Sequence, residues 1–419
     1  MALLMAAQVA SAADISDFHR ETLLERFDSD RDGTLDEAET RALRTVFGGI
    51  DVPMLPDKLF DYTSVRLPAH VDLAQLRLAD NTPIDNAIAD AGATLGRLLF
   101  YDMQLSRNNS VACASCHLQR AGFADPRRFS TGFQGGRTLR NAMSLASLRY
   151  TNVRRHRPGF FWDERAPTLE TQVLMPIQDQ LEMGMTLPQL NERLSKLPYY
   201  PDLFDAAFGS SEVTSDRIAK SVAQFMRSMV SMNSKFDRAA VSGDNSVDFK
   251  TFSDQENRGK SLFIDGVDGV AELSCAHCHI PPTFGMTKAL NNGLALKYKD
   301  RGLGVLDRRP NDPFTPSNDG KFKASSLRNI ELTAPYMHDG RFKTLELVIE
   351  HYSSGVRSHV NVGLAFEDQD SAKKTAGFQF TAGQKAALVA FLKTLTDRQF
   401  ATDPRFSDPF VRSAAQSRE

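Results

Sequence analysis

The sequence predicts a mostly α-helical protein, with two similar halves following a small helix-loop-helix module. Three observations predict it. Apolar residues recur every three or four positions through 218–229, 345–352 and 383–395, whereas strand-like alternation is scarce. One pentapeptide, Cys-x-x-Cys-His, occurs twice, each copy after a helical stretch and before a long loop. A twelve-residue acidic segment, Asp28 to Glu39, carries oxygen donors at regular spacing. A length of 419 residues suits two or three domains, and 41% hydrophobic with 24% charged residues is ordinary for a soluble globular chain. The net charge of −2 gives no reason to expect nucleic acid or an anionic membrane as partner. No apolar run approaches the ~20 residues that would span a bilayer.

Taken in order, residues 1–13 resemble the end of a secretory signal, with small residues at an Ala10-Ser11-Ala12 cleavage site but no basic stretch before it. Residues 14–47 read as an EF-hand-like calcium module. Asp28, Asp30, Asp32, Thr34, Asp36 and Glu39 fill loop positions 1, 3, 5, 7, 9 and 12, with Gly33 at 6 and Leu35 at 8. Thr34 would offer its carbonyl and Glu39 would bind through both oxygens. Phe18, Leu23, Leu24 and Phe27 before the loop, and Leu43, Val46 and Phe47 after it, supply flanking helices. EF-hands usually pair, and this one stands alone. Residues 48–84, rich in Pro, Asp and Leu, read as a connecting arm. The two halves then run from 85 to 252 and from 253 to 419. Ser253-Asp-Gln-Glu256 is a capping box that opens the helix leading into the second pentapeptide.

Those pentapeptides, Cys113-Ala-Ser-Cys116-His117 and Cys275-Ala-His-Cys278-His279, use all four cysteines. The pattern is that of c-type haem attachment: two thiols bind the porphyrin vinyl groups and the histidine ligates iron. This composition yields about one chance copy per thousand such chains. Two zinc knuckles would sit about 15–20 residues apart, but 158 residues separate Cys116 from Cys275. A disulfide framework suits a much shorter secreted chain. The halves are therefore expected to be two cytochrome c-like haem domains. Covalent haem attachment is extracytoplasmic in bacteria, which places the protein in the periplasm.

Several stretches then carry a family resemblance: Leu95-Gly-Arg-Leu-Leu-Phe-Tyr-Asp102, Phe161-Trp162-Asp-Glu-Arg165-Ala, Leu169-Glu-Thr-Gln172, Glu182-Met-Gly184, and the run from Leu327 through Thr333-Ala-Pro335-Tyr-Met-His338 to Gly340. Together they resemble the bacterial dihaem cytochrome c peroxidases and the MauG group, over roughly residues 80–400. The EF-hand lies outside that resemblance. The resemblance implies that hydrogen peroxide reacts at the first haem, on Cys113, Cys116 and His117, and that the second, on Cys275, Cys278 and His279, passes electrons. It places the inter-haem tryptophan on Trp162, the distal glutamine and glutamate on Gln172 and Glu182, and a distal proline on Pro176. An inter-haem calcium would use Asn141, Thr333 and Pro335. Glu182 would take a proton from one peroxide oxygen and return one to the other, helped by a desolvated, raised pKa. Gln172 would orient peroxide by hydrogen bonding.

Two positions depart from the peroxidases. Reductively activated members place a blocking histidine sixteen residues after the first haem histidine, and Phe133 stands there instead. The resemblance therefore implies an open first iron; His156 is the nearest other candidate ligand. Peroxidases also place a methionine fourteen residues after the histidine of the His-Asp-Gly motif, where this chain has Tyr352, as the MauG group does. A phenolate stabilises oxidised iron, whereas a thioether favours the reduced state. His351 and Met337 are the rival ligands. Both departures suit a MauG-like enzyme that draws electrons from a protein substrate. The alternatives are a cytochrome c peroxidase fed by a small cytochrome or cupredoxin, and a dihaem electron carrier without a catalytic site. Expected partners are hydrogen peroxide and a redox protein; the assemblies to consider include a homodimer.

Overall fold

The structure, a computed structural model, describes residues 15–151, 159–267, 274–285, 288–307, 317–362 and 377–412. The leader and His156 lie outside them. It is mostly helical, as the periodicity predicts. The helices that organise it are α1 (Arg20–Phe27), α2 (Glu37–Val46), α3 (Asp90–Tyr101), α4 (Leu169–Gln178), α5 (Tyr200–Phe208), α6 (Ser215–Ser228), α7 (Asp254–Ile264), α8 (Leu345–Glu350) and α9 (Ala382–Lys393). Strand is confined, among the described residues, to two short antiparallel pairs: β1 (Val52–Pro53) with β4 (Phe410–Val411), and β2 (Ala289–Leu290) with β3 (Phe322–Lys323).

Each half is built on one crossed helix pair. In the first, α3 is buried almost all round and packs on α6. A Cβ at Gly96 would run into the Ser221 carbonyl, so glycine is what lets the two backbones approach. In the second, α7 packs on α9, and Gly259 meets the Ala387 carbonyl in the same way. The Ser253 capping box forms as expected, with Ser253 accepting from Glu256 N–H and the Glu256 side chain from Ser253 N–H.

Two apolar cores follow from the two pairs. The second is made of residues from Phe236 to Leu395. The first takes residues from Phe18 to Met229 and then Phe400, Phe406 and Phe410, so the C-terminal segment returns to the N-terminal half. Phe400, Phe406 and Phe123 meet at ring-centroid separations of 5.5 to 6.5 Å. Arg412 fixes the same segment by donating to the Tyr101 carbonyl at 2.6 Å. The helix-loop-helix module joins this core as well. Phe18, Leu23 and Leu43 are fully buried in it, and Phe18 lies edge-on to Tyr199 at 5.5 Å.

Candidate functional site

Cys113 to Ser115 and Cys275 to His277 each form one tight 3-10 turn. The turn puts both thiols of a pair on one side and lets the histidine N–H bond back to the first cysteine carbonyl, at 3.0 Å for His117 and 2.9 Å for His279. Each imidazole uses Nδ1 on a backbone carbonyl: His117 on Phe123 at 2.9 Å, His279 on Phe284 at 3.1 Å. That bond sets the tautomer and leaves Nε2 for a metal. None of the four cysteines is in a disulfide. Burial pushes the Cys113 and Cys275 thiols up to about 12 and that of Cys116 to about 11, which marks apolar surroundings at both turns.

The first pair faces a loop that the sequence had singled out. Thr168 caps α4 by accepting from Thr171 N–H, and the helix carries Gln172 and Pro176, four apart and so on one face. It ends at Asp179, whose carboxylate accepts from Leu181 N–H at 2.7 Å and whose carbonyl accepts from Gly184 N–H at 2.9 Å. This turn turns Glu182 inward. Its charge raises both Cys113 and Cys116, and its own carboxyl is pushed up to about 7 by burial, then by Asp179, with Arg165 opposing. Gln172 Oε1 is buried and has no hydrogen-bond partner. A buried amide oxygen without a partner marks a place where a polar guest belongs. Phe133 is 6% exposed, its N–H donates to the Glu182 carbonyl at 2.9 Å, and its ring occupies the space above Gly184. Gly184 has φ +63°, and a Cβ there would overlap that ring.

The second pair opens on a cavity of about 190 Å³, lined by Cys275, Cys278, His279, Tyr352, Met337 and Trp162 among others. Asn292 Nδ2 lies 3.3 Å from Tyr352 Oη and 3.4 Å from Met337 Sδ, so both candidate ligands converge on one amide. Burial pushes the Tyr352 phenol up to about 12. His351 turns away: its Nε2 meets the Asn292 carbonyl at 2.9 Å, and it does not line the cavity. The split follows from the backbone. The expected helix 345–352 is α-helical only through Glu350, and 351–355 form a π-helical turn. Such turns re-aim side chains at functional sites. Asn292 was not foreseen, and nothing in its neighbourhood in the sequence pointed to it.

Residues of both halves line this cavity. Trp162 lines the second cavity, yet its indole N–H donates to the Asn141 carbonyl of the first half at 2.8 Å. Asn141, Thr333 and Pro335, the candidate calcium ligands, line that cavity together. Met143, two residues past Asn141, lines it too.

In the acidic loop, oxygens of Asp28, Asp30 and Asp32 lie within 4.8 Å of one another. Thr34 N–H and Oγ1 both donate to Asp32 Oδ1. Asp36 and Glu39 form the capping box of α2, and Glu39 also accepts from Ser29 N–H and Oγ at 2.6 Å each.

Fold and site define a helical protein with two c-type haem attachment turns, whose thiol pairs and Nδ1-anchored imidazoles, with the apolar cavity beside the second turn, fit that cofactor. A family model described as di-haem cytochrome c peroxidase matches residues 90–246. The chain is 32% identical over 315 residues to a methylamine utilization protein MauG of Methylorubrum extorquens, covering 75% of this chain and 80% of that one. It is 31% identical over 321 residues to a cytochrome c551 peroxidase of Nitrosomonas europaea, covering 76% and 83%. The crystal structure of a MauG-like protein associated with microbial copper homeostasis superposes with a TM-score of 0.66 at 32% identity, over 83% of this chain and 99% of that one. The chain belongs to the dihaem cytochrome c peroxidase family that includes MauG, and is a peroxidase-type oxidoreductase with two haem c groups. Among the described residues no helix is long and apolar enough to cross a membrane.

Proposed function

We propose that peroxide reacts in the first half without prior reduction, and that electrons reach it through the second half from a protein donor or substrate, as in the MauG branch. The observation that carries this is the pairing of Glu182 with Phe133: a buried carboxylate beside the first thiol pair, and a hydrocarbon ring where a blocking ligand would stand. The haems, held by Cys113, Cys116 and His117 and by Cys275, Cys278 and His279, supply an iron that reacts with peroxide and a second that exchanges electrons. Glu182, as the carboxylate, accepts a proton from one peroxide oxygen and delivers it to the other. Gln172 holds peroxide through its unmet amide end, and Pro176, with no N–H of its own, keeps that face apolar. Trp162 bridges the halves as an oxidisable ring, and Tyr352 is the residue that would ligate the iron of the second haem. The test is the reaction of the fully oxidised enzyme with peroxide, followed by rapid mixing. Immediate reaction supports the reading, and a requirement for pre-reduction would sink it.

Calcium completes the proposal in two places. Asn141, Thr333 and Pro335 would hold one ion where the two halves meet, and the Asp28–Glu39 loop would hold another. We place the enzyme in the periplasm, where c-type haem is attached. A second reading, a cytochrome c peroxidase fed by a small cytochrome or cupredoxin, draws on Met337, whose sulfur lies 3.4 Å from Asn292 Nδ2 and lines the same cavity as Tyr352. A thioether-to-iron band in the near infrared, with fast turnover of reduced cytochrome c, would favour it.

A further inference from the structure

The hairpin that carries Trp162 is fastened to the second half by two charged residues that the reading above leaves unused. Phe160 N–H donates to the Ala166 carbonyl at 2.7 Å and closes the hairpin. The Trp162 carbonyl accepts from the main-chain N–H of Lys323 at 2.8 Å, and Lys323 Nζ donates to the Gly159 carbonyl at 2.8 Å. Lys323 is 7% exposed, lies on β3 and is paired with Ala289 on β2. The main chain of Ala289 in turn hydrogen-bonds the Glu164 carboxylate. Glu164 stands two residues past Trp162 with φ +58°, a backbone region strained for a glutamate. Its Oε1 is buried without a hydrogen-bond partner. Burial pushes Glu164 up to about 7 and Lys323 down to about 8, each opposed by the charge of the other.

Chemistry gives this couple a task. The Trp162 indole N–H is bonded to a backbone carbonyl, which cannot take up a proton. An indole that loses an electron therefore keeps its N–H and carries a net positive charge until an electron returns. Nearby fixed charges then decide how readily it does so. Three carboxylates (Asp163, Asp300, Glu164) face three cations (Arg140, Arg165, Lys323) around the hairpin. Asp163 and Asp300 are locked by direct ion pairs of 2.6 to 2.8 Å to the arginines. Glu164 is the carboxylate left with a free oxygen.

We propose that Glu164 and Lys323 are positioning residues for electron passage through Trp162: Lys323 fixes the hairpin, and the Glu164 carboxylate offsets the positive charge the indole carries. In that passage one electron leaves the indole toward the first haem and one arrives from the second, and no proton or heavy atom moves. The proposal rests on Trp162 being the conduit, and the experiment separates the two. Inter-haem electron transfer is followed in the holoenzyme after flash reduction, with the second haem's potential and the melting temperature measured alongside. Glu164→Gln leaves the Lys323 charge unopposed, and we expect transfer to slow about tenfold, with Glu164→Asp within about threefold of wild type. Adding Lys323→Met to Glu164→Gln is expected to restore the rate to within about threefold. A purely structural role predicts the opposite, a double variant slower than either single one, and that result overturns the proposal. So does a wild-type rate in Glu164→Gln while Trp162→Phe is slow. A wild-type rate in Trp162→Phe overturns the conduit itself, and this proposal with it.

Discussion

In the first half α3 crosses α6 at Gly96, and in the second α7 crosses α9 at Gly259, each glycine admitting a carbonyl from its partner helix. Each half then presents a 3-10 turn with two thiols and a histidine anchored through Nδ1. Up to that point the halves are near copies. They diverge in the polar and aromatic groups gathered near each turn. One has a carboxylate, an amide and a phenylalanine; the other has a phenol and a thioether beneath Asn292. On the proposed reading, two similar scaffolds need differ only on their facing loops to make one site that reacts and one that conducts.

The largest expected effect removes the proton acceptor from the reactive half. Glu182→Gln should slow the peroxide reaction by about 10²–10⁴-fold, as read by rapid mixing, while the second haem's spectrum stays as in wild type. Next comes an attempt to make the halves alike. Phe133→His restores a ligand donor beside Gly184, and should convert the first haem from high-spin to low-spin and cut peroxide reactivity by at least about tenfold. Electron paramagnetic resonance checks the first and kinetics the second. On the conducting side, Tyr352→Phe should raise the second haem's potential by on the order of 100 mV, whereas Met337→Leu should leave it nearly unchanged. The reverse order would transfer the ligand to methionine.

A gentler probe is pH. Because burial raises Glu182 to about 7, it is protonated below that value and cannot accept a proton. The peroxide reaction should therefore fall about tenfold per unit as pH drops below 7, and Glu182→Gln should abolish that limb. The smallest effect lies furthest from the haems. Asp30→Ala should lower the melting temperature by a few degrees in calcium and leave it unchanged in chelator. Deleting the module outright is a poor test, since Phe18, Leu23 and Leu43 belong to the first core.

What could be read in advance was local or repeated. The pentapeptides mark both turns, periodicity marks α6, α8 and α9, and the family resemblance singles out Glu182, Gln172 and Phe133. What escaped was long-range or very short. The strand pairs are two residues long and leave no alternation to detect. Asn292 and Lys323 gain their meaning from contacts across 60 and 164 positions of chain. The change from α to π winding at His351 depends on packing around a Ser-Ser-Gly run, which propensity alone marks only as a weak helix.

The return of Phe400, Phe406 and Phe410 to the first core sets an order of assembly. A chain made from its N-terminus would usually close its first unit first. Here that unit lacks three aromatic residues and a strand partner for Val52 until residues 400–411 have joined it. The core that Cys113 packs against is therefore complete only once residues 400–410 have docked on it.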